Sequence, residues 1–285
     1  MKKIDFEIIS SENIKKPKVS IIIPFFNKTR SLMLNNLLNQ ISRQTFQDYE
    51  IIIVKNDSRQ GRAINNGVRI SRGEIIVTMD DDTSFGNEKV VENLVKVIES
   101  DKTVGMVGAS TEIFEQDTFL QKSAAKQILR RYFPRQKKTV DSDMVQHPCL
   151  AMKKEIFIKI GGEDEDLIRG LDPVLRQKVR QLGLRVVIAA DTWIYHLLPN
   201  NLKSILLMYY RNGKGSAFAQ KFYPERIYEL TDGYEGIRNE LFVPKMALKY
   251  RIIRRVINMG FALIEFKLIR FSTDFAYLIG YFNEF

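Results

Sequence analysis

Cysteine is nearly absent from this chain of 285 residues: Cys149 stands alone, so no internal disulfide can form. Long apolar runs are missing too. Even the C-terminal third is interrupted by Lys267, Arg270 and Asp274, well short of the roughly 18 to 20 residues that span a bilayer. No basic segment followed by an apolar stretch and a small-residue cleavage site opens the sequence, so a cytoplasmic location is expected. Internal repeats and low-complexity tracts are absent. The sequence also carries no helix-turn-helix, zinc or aromatic-strand signature, so no nucleic-acid partner is expected despite the formal charge of +10. That charge points instead to nucleotide phosphates or anionic lipid. With 45% hydrophobic residues the chain can bury a substantial core.

What is present is an alternation of buried-strand and amphipathic-helix patterns. After a polar leader of residues 1–16, Lys18–Ile23 reads as a strand stopped by Pro24, and residues 29–43 have helical spacing in Leu32, Leu34, Leu37, Leu38 and Ile41. The unit repeats with Glu50–Val54 as strand, Ala63–Ile70 as helix, Gly73–Met79 as strand, Val90–Ile98 as helix and Thr103–Val107 as strand. Such alternation predicts an α/β fold, Rossmann-like, with a mainly parallel sheet flanked by helices. Residues 112–146, polar and basic through Arg130, Arg131, Arg135, Lys137 and Lys138, offer no assignable element. Ala151–Phe157 reads as a short helix ending at Gly161-Gly162. Asp172-Pro173 reads as an N-cap opening a helix through Leu182, followed by two short strands, Arg185–Ala189 and Trp193–His196, and a further helix through Leu202 and Tyr209.

The third strand ends in Asp80-Asp81-Asp82. Ligands in open α/β sheets collect at the carboxyl ends of strands. Three adjacent carboxylates repel unless cations or donors compensate, and hard divalent ions prefer such oxygen ligands together with a substrate phosphate. A metal-bound diphosphate is one reading of the triplet; a polar turn closing the strand is the other.

Three blocks in this order, Val19–Asn27, Gly73–Asp82 and Gly161–His196, resemble the family 2 glycosyltransferases of the GT-A fold over about residues 17 to 215. The resemblance implies transfer of a sugar from a nucleotide donor to an acceptor hydroxyl, with inversion and with Mn²⁺ or Mg²⁺ as cofactor. It implies Asp82 and His196 as metal ligands, Asp80 at the ribose or sugar, and Asp81 supporting the loop. His196 as a structural strand-end residue remains the alternative. Asp172 matches the family's general base, and the alternative is that it only caps its helix. Pro24, Phe26 and Asn27 would lie along the donor base, Phe26 as a stacking platform or as a core residue. Two positions depart from the pattern. Leu171 replaces an acid before Asp172, for which the acidic loop Glu163–Asp166 is a candidate substitute. Lys55 replaces the usual base-binding aspartate, which passes that work to Asn56 or Asp57. Arg62 and Lys28 are candidates for phosphate contact, with Arg211 and Lys214 further on. His147 has no matching position.

Residues 216–285 form the expected appendage. From residue 245 to 282, apolar residues alternate with cations at helical intervals, a pattern suited either to the face of an anionic membrane or to packing on the catalytic domain or a second subunit. The acceptor is then a glycan or a lipid-linked precursor. The competing function is a silent GT-A module that binds nucleotide or a protein partner without transferring sugar.

Overall fold

The computed structural model describes residues 4–10, 16–128, 131–227 and 248–284. Strand β1 (Asp5–Ser10) arises in the expected leader and pairs antiparallel with β3 (Tyr49–Lys55) at one edge of the sheet. Strands β2 (Val19–Phe25), β3 and β4 (Ile75–Met79) run parallel, joined by helices α1 (Ser31–Ile41) and α2 (Gln60–Ile70). A short strand β5 (Thr83–Phe85), helix α3 (Val90–Ser100) and strand β6 (Val104–Glu112) follow. Residues 113–146, which carried no sequence assignment, contain helix α4 (Phe119–Gln127), closed by a Thr118–Gln121 capping box, and a two-residue strand β7 (Val140–Asp141). Arg130, in the same basic stretch, lies outside the described residues.

Strand β8 (Cys149–Lys153) corrects the helix expected from Ala151: its residues pair antiparallel with β4 and β6, and helix α5 (Lys154–Lys159) starts only after them. A short apolar run has no periodicity that separates strand from helix, and pairing decided it. Helix α6 (Leu171–Gln181) leads into β9 (Arg185–His196), one strand where two were expected. Its interruption is a bulge at Asp191, whose φ is 47°, and pairing with β6 resumes after a register shift. The sheet order is β1-β3-β2-β4-β8-β6-β9-β5, with β6 and β9 parallel and β7 attached to β9.

Alternation along the strands explains their continuous apolar sequences. Ile21, Ile23, Ile51, Ile53 and Val77 face a core completed by α1 and α3, whereas Ile22, Ile52, Val54 and Ile76 face one completed by α2, α5 and α6. Each fully buried branched side chain contributes about 1.5–3 kcal/mol, so both faces are strongly specified.

Helix α7 (Leu202–Phe222) runs through Gly213-Lys214-Gly215, and the domain division expected at residue 215 falls inside it. Helices α8 (Leu248–Ile264) and α9 (Leu268–Phe282) complete the described chain. The part of the expected amphipathic stretch before residue 248 lies outside the described residues.

Candidate active site

The turn Asp80–Asp82 connects the carboxyl end of β4 to β5. Because β5 pairs antiparallel with the end of β9, His196 lies opposite Thr83, directly after the acid triplet. Its Nε2 is 3.3 Å from Asp82 Oδ1 and 3.9 Å from Asp80 Oδ2. Asp80, Asp82 and His196 each offer a ligand atom, and these atoms lie within 4.8 Å of one another. Two carboxylate oxygens with one imidazole nitrogen form a donor set that fits Mn²⁺ and accommodates Mg²⁺. Asp81 stands outside this group, with Oδ1 accepting from Arg30 Nη1 at 2.8 Å. The same guanidinium nitrogen reaches Asp82 Oδ2 at 2.9 Å. Sequence reasoning missed Arg30, although the repulsion within the triplet required some cation nearby.

Burial pushes Asp80 up to about 6, helped by the charges of Asp82 and Asp172 and opposed by His196 and His147. Burial would raise Asp82 as well, but His196 and Arg30 override it and hold this carboxyl at about 2. Burial raises Asp81 too, against the pull of Arg30, so Asp82 alone of the triplet is held below the usual carboxylate range. Asp80 is steadied by Gln60, whose amide donates to Oδ1 at 2.7 Å.

On the expected donor side, Phe25 is buried and Phe26 is 60% exposed, so Phe25 is the core residue of the pair and the Phe26 ring is open to a stacking partner. Pro24 lies at the end of β2, and Asn27 caps the following 3₁₀ turn by accepting from Thr29. Asn56 adopts φ 64°, the left-handed region that asparagine tolerates, at the end of β3. Asp57 is turned inward: its buried carboxylate accepts from the Arg59 backbone and from Arg62 Nε and Nη2 at 2.8 Å. Asp57 and Arg62 thus pair with each other, the carboxylate fully buried and the guanidinium about one-third exposed on the expected donor side. Lys55 is paired with Glu7 of β1 at 2.5 Å, so the unusual residue serves the sheet edge.

Asp172 is not the N-cap. That position is Gly170, with φ 84°, and Asp172 lies in the first turn of α6. Its Oδ1 accepts from the His147 backbone N–H at 2.8 Å and lies 2.5 Å from His147 Nδ1. His147 Nε2 is in turn 2.8 Å from Glu163 Oε1, with both side chains buried. Sequence spacing gave no signal for this chain of three side chains, because residues 147, 163 and 172 converge only through β8, α5 and the loop after it. Burial opposes ionisation of Asp172, but His147 and Arg176 hold its carboxyl well below the usual range. His147 is raised well above an ordinary histidine, because the two carboxylates outweigh its burial. Leu171 is buried with Leu167, Val174 and Ala219, docking α6 on α7.

Asp172 lines a cavity of about 290 Å³ with Gln60, Arg169 and Leu171 on one side and Asn212 and Ser216 of α7 on the other. Burial, together with Arg131 and Arg211, lowers the Arg169 pKa, while Asp80 and Asp172 oppose the shift. Three cations and two site carboxylates thus share one electrostatic environment.

The family model described as glycosyl transferase family 2 matches residues 20–61 and 55–161. An uncharacterized glycosyltransferase of Haemophilus influenzae is 28% identical over 170 residues, which cover 50% of this chain and 55% of that protein. The chain thus spans about half the length of that relative. A mannosyltransferase of Pyrobaculum calidifontis, solved in complex with GDP-mannose and Mn²⁺, superposes with a TM-score of 0.60 at 14% identity, covering 94% of this chain and 87% of that one.

Proposed function

Since the chain belongs to the family 2 glycosyltransferases and has their GT-A fold, we propose that it moves a sugar from a nucleoside-diphosphate donor to an acceptor hydroxyl with inversion. The observation that carries this is the arrangement of a carboxylate–imidazole group, Asp80, Asp82 and His196, beside a separate cavity that contains Asp172. A divalent cation held by Asp82 and His196 would stabilise the charge that develops on the departing diphosphate. Arg169, Arg131 and Arg211 add cationic charge on the same side, suited to phosphate oxygens. Phe26 stacks on the base, while Pro24, Asn27 and Asn56 shape the rim around it. Asp80, kept in place by Gln60, contacts the ribose or sugar. Asp81 orders the turn through Arg30. Asp172 accepts the proton of the attacking hydroxyl.

The two departures from the family pattern have structural explanations: Leu171 packs α6 on α7, and Lys55 pairs with Glu7. The catalytic unit is read as residues 17–215, with residues 216–285 as an appendage that continues α7. In that appendage α8 exposes Ile253, Val256, Ile257, Phe261 and Ile264, and Phe266 follows at 84% exposure. No helix among the described residues is long and apolar enough to cross a membrane. An exposed apolar face on a basic chain suits peripheral contact with anionic lipid on the cytoplasmic side, and hence a lipid-linked acceptor. A second copy of the chain on this face is the alternative.

The test is calorimetric binding of UDP-, GDP-, dTDP- and CMP-sugars with and without Mn²⁺, to the wild type and to Asp82→Asn. Metal-dependent binding of one nucleotide sugar, lost in the variant, is the expected result. Binding that is indifferent to both metal and variant would remove Asp82 as ligand. Flotation with vesicles containing anionic lipid tests the appendage.

A further inference from the structure

Glu163 carries a buried carboxylate whose Oε1 lies 2.8 Å from His147 Nε2. The other ring nitrogen of His147 faces Asp172 Oδ1 at 2.5 Å. A neutral imidazole has one N–H and one lone pair, so it would set that lone pair against one of two carboxylate oxygens. The imidazolium satisfies both. A buried carboxylate is costly unless it meets a charged partner, which also favours the cation. The backbone fixes the arrangement further: the His147 N–H donates to the same Asp172 oxygen, and the His147 carbonyl accepts from Thr78 on β4, two residues before Asp80.

We propose that His147, charged and held by Glu163, is a positioning residue for the general base, occupying Asp172 Oδ1 so that Oδ2 is the oxygen left for the acceptor hydroxyl. This rests on the reading of Asp172 as base. In the transfer step the acceptor O–H proton passes to Asp172 Oδ2 and the acceptor oxygen bonds to the anomeric carbon. The bond from that carbon to the β-phosphate oxygen breaks, and its electron pair leaves with the nucleoside diphosphate. His147 keeps both of its protons throughout. It fixes the carboxylate plane toward the cavity that Asp172 lines, where one-third of the Asp172 side chain is exposed. The arrangement trades basicity for orientation: the imidazolium weakens Asp172 as a base but keeps it ionised at acidic pH. The other charged groups bearing on Asp172 are Arg176 on α6, Arg169 before that helix and Asp80 at the end of β4. Glu163 thus supplies, through His147, the support that the residue preceding Asp172 lacks.

Glu163→Gln isolates the charge from the shape. The glutamine amide donates to His147 Nε2, leaving a neutral ring whose Nδ1–H still reaches Asp172. Two-bond ¹H–¹⁵N spectra of histidine-labelled protein contain only two ring systems, since the chain has two histidines, and a His196→Asn sample assigns them. The wild type should show His147 protonated on both nitrogens well above neutral pH, and Glu163→Gln should show the single Nδ1–H form at neutral pH. A singly protonated His147 in the wild type at neutral pH would overturn the proposal without reference to activity. For turnover, nucleoside diphosphate release is followed with the donor identified by calorimetry, with water as acceptor. In Glu163→Gln the acidic limb of the rate profile should move up by about one to two pH units, with donor affinity unchanged. His147→Asn, which keeps a donor but no charge, should move the limb the same way. If both variants keep the wild-type profile and lose only thermal stability, the three side chains are a fold staple and the proposal fails. If Asp172→Asn itself turns over like the wild type, it is the base assignment that fails.

Discussion

Arg30 Nη1 lies 2.9 Å from Asp82 Oδ2, so one guanidinium opposes, from the start of α1, the carboxylate that His196 faces from β9. This cation competes with a metal for the same negative charge. Removing a unit charge next to a partly buried ion site strengthens cation binding by about 1 kcal/mol, so Arg30→Gln should bind free Mn²⁺ several-fold more tightly. Electron paramagnetic resonance titration measures this. Weaker Mn²⁺ binding in the variant would mean that Arg30 holds the Asp81–Asp82 turn in its ligating shape.

Asp172→Asn should spare donor binding and reduce transfer by roughly 10²- to 10⁴-fold, the range for loss of a general base. An amide in the same place still accepts from His147 N–H, so the helix start is kept. Donor calorimetry beside turnover separates the two effects, and wild-type turnover would dismiss Asp172 from the chemistry.

Glu50 gives the chain an acid-labile brace. Its buried carboxylate accepts from Ser20 Oγ at 2.7 Å, from the Arg72 backbone N–H and from Arg72 Nε. Burial would raise its pKa, but these donors win and hold it below the usual glutamate range. A depressed carboxyl contributes stability that is present above its unfolded pKa and is lost as pH falls through the folded value. Glu50→Gln should cost about 1–3 kcal/mol at neutral pH and flatten the acid branch of the stability curve. Urea unfolding between pH 3 and pH 7 measures both, and parallel curves for variant and wild type would refute the assignment.

Gly213 and Gly280 set how closely α7 and α9 approach. A Cβ at Gly213 would meet the Tyr277 carbonyl oxygen at 2.0 Å, and one at Gly280 would meet that of Tyr210 at 2.0 Å. Backbone cannot yield as a side-chain tip can, so Gly213→Ala should separate the helices at a cost of about 1–3 kcal/mol. Faster limited proteolysis at the C-terminal helices, with metal binding unaltered, is the expected pattern. Unchanged proteolysis would show that the crossing tolerates a methyl group.

The strand and helix alternation from residue 18 to residue 107 was legible because each strand there is buried on both faces and each helix on one stripe. The acid triplet was legible for a related reason, since charge directly after a fully buried strand marks the sheet's ligand-binding edge. Beyond that stretch the helices at Asp172-Pro173 and at Leu202 were still legible, and other signals were not. Cys149–Lys153 has a composition that either element accepts, and its place between β4 and β6 made it a strand. Gly213-Lys214-Gly215 carries two poor helix formers, yet α7 runs through it and packs closely on α9.

The sequence by itself determined the sheet-and-helix order of the first half and the carboxylates at its edge, because those depend on periodicity and on local residue type, and its three motif blocks carried the resemblance to the family. Only the tertiary structure decided which charges answer them. Arg30, His147 and Glu163 act across separations of 51, 25 and 16 residues. Electrostatic and hydrogen-bonding partners are chosen by distance in space, and no local pattern in the chain encodes that distance.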